Sequence, residues 1–180
     1  MTRYIALVRG VNVGGHNKLP MAEFRKLLSG LNHTDVTTYL QSGNAVFTST
    51  KRSPAKLSAE IQAALGDRLS LDVRTLVLSI DRLRQIIDNN PMARDDEDPT
   101  HLYVAFLSGK PDAAAIRQVD PAKFAPDRFE VIGDVIYLHY PKGMGKSKLD
   151  PGSVFAKTGI WATARNWRTV NQLAALASQS

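Results

Sequence analysis

Two glycine-rich segments of this sequence contain residues that could bind an anion. Residues 9–18 read Arg-Gly-Val-Asn-Val-Gly-Gly-His-Asn-Lys, and residues 141–149 read Pro-Lys-Gly-Met-Gly-Lys-Ser-Lys-Leu. Glycines allow backbone N–H groups to converge on one point, and lysine and arginine side chains supply positive charge. Both segments are therefore suited to hold a phosphate or a carboxylate group.

Other polar residues could complete such a site. Arg165 and Asn166 precede a predicted helix and could hold an anion by charge-assisted hydrogen bonds. Gln41 and Asn44 flank the tip of a predicted hairpin and could orient a ligand. For each candidate, a structural role as a turn residue or a helix cap is the open alternative. The complete set of candidate ligand-binding residues is Arg9, Asn12, Lys18, Gln41, Asn44, Lys146, Lys148, Arg165 and Asn166.

Neither segment carries the full signature of a known nucleotide-binding loop. The first has glycines at 10, 14 and 15, which does not match Gly-x-Gly-x-x-Gly. The second ends in Gly-Lys-Ser, but Tyr140 stands where a P-loop needs its first glycine, and Pro151 would interrupt the following helix. A nucleoside triphosphatase is therefore not expected, whereas a looser anion-binding loop stays open.

The sequence lacks the residues that several kinds of catalysis require. The chain has no cysteine, which excludes thiolate nucleophiles and disulfides. The four histidines have no spacing with Asp or Glu that indicates zinc, so we predict no metal and no cofactor. Ser42 and Ser147 lack the Gly-x-Ser-x-Gly turn of a serine hydrolase. Neither basic segment contains a pair of carboxylates for acid and base catalysis, and the sequence does not identify catalytic residues.

Positive charge is concentrated at the two ends of the chain. The sequence has 23 Lys and Arg residues against 17 Asp and Glu residues, a net charge of +6. Residues 1–30 and 142–180 together carry 11 basic and 2 acidic residues, so the rest of the chain has a net charge of −3. If the two ends meet, they form a positive surface suited to a phosphate-bearing small molecule or a nucleic acid. A basic surface that only maintains solubility is the alternative.

The first half of the chain predicts a compact arrangement of strands and helices. An apolar strand over residues 4–8 precedes the first basic segment, and apolar residues at helical spacing follow from Pro20. Strands over 36–41 and 44–49, joined by a two-residue turn at 42–43, form a hairpin. A helix from Ser53 to near Gly66 and a strand over 71–80 complete the order strand, helix, strand, strand, helix, strand. This order is that of a ferredoxin-like split β-α-β fold.

The second half repeats part of this pattern. Strands over 101–107, 129–132 and 135–140, with a helix over 112–119, precede helical segments at 151–158 and 167–177. We therefore predict an α+β protein with two related ferredoxin-like sub-domains, antiparallel-rich sheets and helices on one face. The predicted sub-domains are residues 1–80 and 100–180. A linker over 81–99, consisting of a helix and an acidic connection with the run 95–98, joins them.

Composition predicts a soluble cytoplasmic protein without a membrane partner. Hydrophobic residues make up 43% of 180 residues, enough for a core. The N-terminal apolar run is too short for a signal peptide, and no stretch reaches the length of a membrane span.

Four motifs resemble a bacterial family catalogued as domain of unknown function 1697. They are residues 4–21, 39–47, 138–149 and 163–167, spread over nearly the whole chain. The resemblance implies an alpha/beta protein of two related sub-domains. It implies no substrate, cofactor or catalytic residue.

Three functions are consistent with these patterns. The first, which we favour, is a binding module for a phosphorylated metabolite or a nucleic acid, because cations and hydrogen-bond donors outnumber candidate acids and bases. The second is an enzyme acting on a small anionic substrate in a cleft between the sub-domains. It would need a desolvated lysine at position 18, 146 or 148. The third is a structural or interaction protein in which the glycines only shape the backbone.

Overall fold

A computed structural model describes residues 1–93 and 98–179 of the chain. Its contacts divide the chain into two units. The first unit is Met1–Gln85 together with the chain from Gln172 onward, and the second is Ile86–Asn171. Residues 94–97, which include most of the predicted acidic run, lie outside the described residues.

The first unit is built on a four-stranded antiparallel sheet with the strand order β2-β3-β1-β4. This is the order of a ferredoxin-like fold, in which the two central strands, here β1 and β3, are separated in sequence by a helix and an edge strand. Its strands are β1 (Thr2–Val8), β2 (Thr34–Tyr39), β3 (Asn44–Ser49) and β4 (Thr75–Ser79), and its helices are α1 (Met21–Gly30) and α2 (Pro54–Leu69).

Both helices cover one face of this sheet. The apolar residues of α1 and α2 recur at helical spacing, and they are buried together with alternate residues of β1 and β3. Tyr4 and Phe47 stack within this core, with ring centroids 5.8 Å apart. The buried residues that form the contact are Tyr4, Ala6, Val8, Phe24, Leu28, Phe47, Leu57, Ile61 and Leu65.

The hairpin loop between β2 and β3 is longer than the sequence indicated. The predicted two-residue turn is wrong, because Tyr39 pairs with Asn44 and leaves four residues, 40–43, in the loop. The Asn44 amide closes this loop by donating to the Tyr39 carbonyl over 3.0 Å. Similarly, α2 does not end at Gly66 but continues to Leu69, because Ser70 adopts the left-handed conformation that caps it.

The second unit repeats the same topology in a second four-stranded antiparallel sheet, of order β6-β7-β5-β8. The prediction of an α+β protein with two ferredoxin-like sub-domains is therefore confirmed. Its strands are β5 (Leu102–Leu107), β6 (Arg128–Ile132), β7 (Val135–His139) and β8 (Ala162–Asn166). The other α-helices within residues 1–93 and 98–179 are α3 (Ile80–Asp88), α4 (Ala113–Arg117), α5 (Pro151–Val154) and α6 (Trp167–Ser178).

Strand β8 is absent from the sequence-based prediction. Residues 162–166 read Ala-Thr-Ala-Arg-Asn, which contains no large strand-forming side chain. These residues become a strand because they pair with β5, from Leu107 opposite Ala162 to Tyr103 opposite Asn166. Pairing with a distant strand thus overrides a weak local preference.

A separate apolar core lies on one face of the second sheet. Tyr140 is completely buried in it and meets the ring of Tyr103 edge-on, with centroids 5.4 Å apart. Leu149, the last residue of the second basic segment, and Phe155 are buried in the same core. In the described residues, no helix is long and apolar enough to span a membrane.

His33 is a buried histidine in the first unit. It is 3% exposed, and neither ring nitrogen has a hydrogen-bond partner within residues 1–93 and 98–179. Its ring lies 4.6 Å from that of Phe47, measured between centroids. Burial is the main cause that lowers the pKa of His33; Glu60 opposes the shift and Lys51 adds to it. The folded protein therefore favours the neutral imidazole more than the unfolded chain does.

We expect the protein to lose stability as the pH falls below about 6.5, the ordinary pKa of histidine. The unfolded chain takes up a proton at His33 before the folded chain does, so acid favours unfolding, and this contribution to stability is complete only above that pH. Denaturant titrations at about pH 7.5 and about pH 5.5 give the free energy of unfolding. His33→Phe should reduce the difference between the two pH values, by at most about 1.4 kcal/mol per pH unit. An equal difference in both proteins would contradict this assignment.

Candidate anion-binding site

Four lysines line one concave pocket of the second unit. We call it the lysine pocket, and its volume is about 200 Å³. Two segments form its walls, residues 123–127 and the lysine loop, residues 141–149. The residues that line it are Lys123, Phe124, Ala125, Pro126, Asp127, Lys142, Gly143, Lys146 and Lys148.

The buried side chain of Tyr140 closes the lysine loop. Its hydroxyl donates to the Leu149 carbonyl over 3.0 Å and so ties together the two ends of the loop. Burial, followed by the nearby charges of Asp127 and Asp150, raises the pKa of Tyr140 well above its usual value. The hydroxyl therefore remains protonated and can act as the donor at any ordinary pH.

Within the loop, the backbone turns at Gly143. This residue has a φ of +82°, and its N–H donates to the Tyr140 carbonyl over 2.9 Å. A short 3-10 helix, Met144–Lys146, follows, and Ser147 is then extended with φ −87° and ψ 146°. No α-helix begins at Lys146, so the segment lacks the strand, loop and helix arrangement of a P-loop, as its sequence predicts.

A hydrogen bond joins the two walls of the lysine pocket. The Ser147 hydroxyl donates to a carboxylate oxygen of Asp127 over 2.6 Å and accepts from the Leu149 N–H over 2.8 Å. Asp127 follows the 3-10 helix Pro121–Phe124, and its N–H donates to the Phe124 carbonyl over 2.8 Å. Asp127 thus holds the lysine loop against the segment that carries Lys123.

The charge of the lysine pocket is strongly positive. Four lysines and one aspartate line it, a formal charge of +3, and all four lysines are exposed. The single carboxylate of Asp127 neutralises the four lysines only in part, and one of its oxygens accepts a hydrogen bond from Ser147. Four like charges around one pocket repel one another, and an anion bound there would relieve that repulsion.

Sequence reasoning identified part of this pocket. It singled out Lys146 and Lys148, which the structure brings together, but it missed Lys123 and Asp127. These two residues precede strand β6, and no glycine or motif marks them. They reach the pocket because strands β6 and β7 pair, from Arg128 opposite His139 to Ile132 opposite Val135. That pairing brings the chain before β6 beside the chain after β7.

The first basic segment uses its polar side chains differently. Asn12 has a φ of +57°, and its amide nitrogen donates to the Leu19 carbonyl over 2.9 Å and to the Gln41 carbonyl over 2.6 Å. Its amide oxygen accepts from the Leu19 N–H over 2.9 Å. Asn17 likewise donates to the Gly10 carbonyl over 3.1 Å. These bonds fasten the segment to itself and to the hairpin loop, which gives Asn12 a structural role.

Residues at the hairpin loop are also engaged within the first unit. Asn44 is completely buried, and its amide nitrogen donates to Ser42 over 2.9 Å as well as to the Tyr39 carbonyl. Gly43 allows the loop to approach the first segment closely, because a Cβ atom there would lie 2.7 Å from Val11 and the φ is +74°. The Gln41 side chain is exposed.

The other predicted residues fall into two groups. Arg9 and Lys18 are exposed in the first unit. Arg165 is buried in β8, where its guanidinium donates to the Thr163 hydroxyl over 2.8 Å, and burial lowers its pKa to about 10. Asn166 accepts from the Arg168 N–H over 3.0 Å and so caps α6. That the two basic segments share one surface stays a prediction.

The topology and the lysine pocket define a protein of two ferredoxin-like sub-domains with a cationic pocket in the second. The chain belongs to the family described as "Protein of unknown function (DUF1697)", whose profile matches residues 1–137. It is also similar to the structure of a conserved bacterial protein from Streptococcus pneumoniae, with 24% sequence identity and a TM-score of 0.74. That match covers 98% of this chain and 99% of the other, and it shows the fold alone. No relative was found among curated proteins.

Asn12 provides a test of the structural role of the first segment. Asn12→Gly removes three side-chain hydrogen bonds without straining the positive φ, and it should lower the free energy of unfolding by about 1–3 kcal/mol. Asn12→Asp keeps the acceptor for the Leu19 N–H, but it turns a second acceptor oxygen toward the Leu19 and Gln41 carbonyls, so it should cost at least as much. Denaturant titration of the three proteins measures the difference. Equal stabilities would show that these bonds do not hold the loop.

Proposed function

We propose that the protein binds a phosphate-bearing small molecule in the lysine pocket. The observation that supports this most strongly is the presence of Lys123, Lys142, Lys146 and Lys148 around one concave volume. Ammonium groups on flexible side chains can each reach a different phosphate oxygen, and together they match the charge of a phosphate or a diphosphate.

The size of the pocket favours a compact anionic group. Sites for complete small ligands measure about 300–1,000 Å³, whereas the lysine pocket measures about 200 Å³. It therefore suits a phosphate or diphosphate group, with the rest of the ligand lying outside.

A nucleic acid is less well matched to the described features. Ferredoxin-like sheets that bind RNA expose aromatic residues on their two central strands for base stacking. Tyr4 on β1 and Phe47 on β3 are 2% and 0% exposed, and both belong to the core beneath the helices. The corresponding strands of the second sheet, β5 and β7, contain three aromatic residues. Phe106 and Tyr137 are buried, and Tyr103 is half-buried and packs on the core.

The described residues do not provide the feature that the enzymatic alternative required. It depended on a desolvated lysine at position 18, 146 or 148, and all three side chains are exposed. An exposed lysine can bind an anion, but it is not the desolvated group that the enzymatic alternative required. We therefore favour binding over catalysis.

Calorimetric titration with inorganic pyrophosphate tests the proposal. Lys146→Ala combined with Lys148→Ala should weaken binding about tenfold or more, because two charge-assisted contacts are lost. The matched control combines Lys110→Ala with Lys157→Ala, which removes the same charge from exposed positions that do not line the pocket. The control should change the affinity less than about threefold at moderate salt.

Two results would reject this function. One is the absence of pyrophosphate binding to the unmodified protein at low salt. The other is an equal loss of affinity in the pocket variant and in the control, because that result would mean that net charge alone attracts the anion.

A further inference from the structure

A second pocket adjoins the lysine pocket in the second unit. We call it the side pocket, and its volume is about 260 Å³. The two pockets share Lys123 and Phe124 in their walls, so they lie next to each other along the surface. Their combined volume exceeds about 300 Å³, the lower end of the range for small-ligand sites. The residues that line the side pocket are Gln118, Val119, Asp120, Lys123, Phe124, Asp150, Ser153 and Val154.

The side pocket differs chemically from the lysine pocket. Val119, Phe124 and Val154 are half-buried and give it an apolar floor. Asp120 and Asp150 add carboxylates on two separate segments of its wall. A ligand that spans both pockets must therefore be anionic at one end, and at the other end it must combine an apolar face with hydrogen-bond donors.

Both carboxylates are held in fixed positions by the backbone. One oxygen of Asp120 accepts from the Ala122 N–H over 3.0 Å, and one oxygen of Asp150 accepts from the Gly152 N–H over 2.9 Å. Each carboxylate has a second oxygen that can accept from a ligand hydroxyl group. Anchored acceptors of this kind lose little side-chain freedom when a ligand binds.

A sugar ring meets these requirements. Its hydroxyl groups are hydrogen-bond donors, and its C–H face can lie against an aromatic ring such as that of Phe124. We propose that the ligand is a phosphorylated sugar, whose phosphate lies among the lysines and whose ring occupies the side pocket. This inference rests on the proposed function, because it assigns the remainder of the ligand whose phosphate the lysine pocket binds.

The test compares inorganic phosphate with glucose-6-phosphate, mannose-6-phosphate and ribose-5-phosphate by calorimetric titration. At least one sugar phosphate should bind about tenfold or more tightly than inorganic phosphate, because the ring adds contacts in the side pocket. Asp120→Asn and Asp150→Asn should each reduce this ratio of affinities about threefold or more. Asparagine caps a helix as well as aspartate does, so folding should be preserved, and the ratio cancels the general effect of removing a negative charge.

Asp112→Asn is the matched control. Asp112 also caps a helix through one carboxylate oxygen, which accepts from the Ala115 N–H over 2.6 Å, but it does not line either pocket. The ratio of affinities should stay unchanged in this variant.

The outcomes separate this inference from the function on which it rests. If inorganic phosphate binds and no sugar phosphate binds more tightly, the assignment of a sugar is wrong and the phosphate site stands. If the ratio is the same in the unmodified protein, Asp120→Asn and Asp150→Asn, the ring does not occupy the side pocket and the inference is overturned. If neither phosphate nor any sugar phosphate binds, both proposals fail.

Discussion

The hydrogen bond from the buried Tyr140 hydroxyl to the Leu149 carbonyl is the constraint on which the lysine pocket depends. It closes a loop whose lysines repel one another, and it acts from inside an apolar core where water cannot compete for the donor. The bond between Ser147 and Asp127 then fixes this loop against residues 123–127. Without both attachments, the lysine loop would move away from residues 123–127, since repulsion among the lysines and chain entropy both favour separation.

The two units show how one topology can use its loops in different ways. Each has a four-stranded antiparallel sheet with the same strand order. In the first unit, the side-chain amides of Asn12 and Asn44 form hydrogen bonds within the protein. These bonds satisfy backbone groups in the first basic segment and in the hairpin loop, both of which contain residues with positive φ. In the second unit, Tyr140 and Ser147 perform the equivalent attachment, and this leaves the lysines exposed around a pocket. The second loop is therefore the better suited to a ligand.

Most of the fold could be predicted from the sequence, but only part of the candidate site. The helical spacing of Phe24 and Leu28 and the dense apolar content of β1 are local signals, and they led to the correct fold class. Glycine and lysine spacing likewise pointed to Lys146 and Lys148. Lys123 and Asp127 could not be found in this way, because nothing in their neighbours along the chain marks them as part of a site.

The sequence by itself determined the alternation of strands and helices, the absence of thiol chemistry and the positions of the basic segments. Each of these depends on residue type and on spacing within a few turns or one strand. Tertiary structure decided the rest. Strand β8 exists because β5 pairs with it, and the lysine pocket exists because a hydrogen bond between Ser147 and Asp127 joins the segment after β7 to the segment before β6. The side-chain amides of Asn12 and Asn166 form hydrogen bonds with backbone groups. Folding sets these partners, and residue type alone does not specify them.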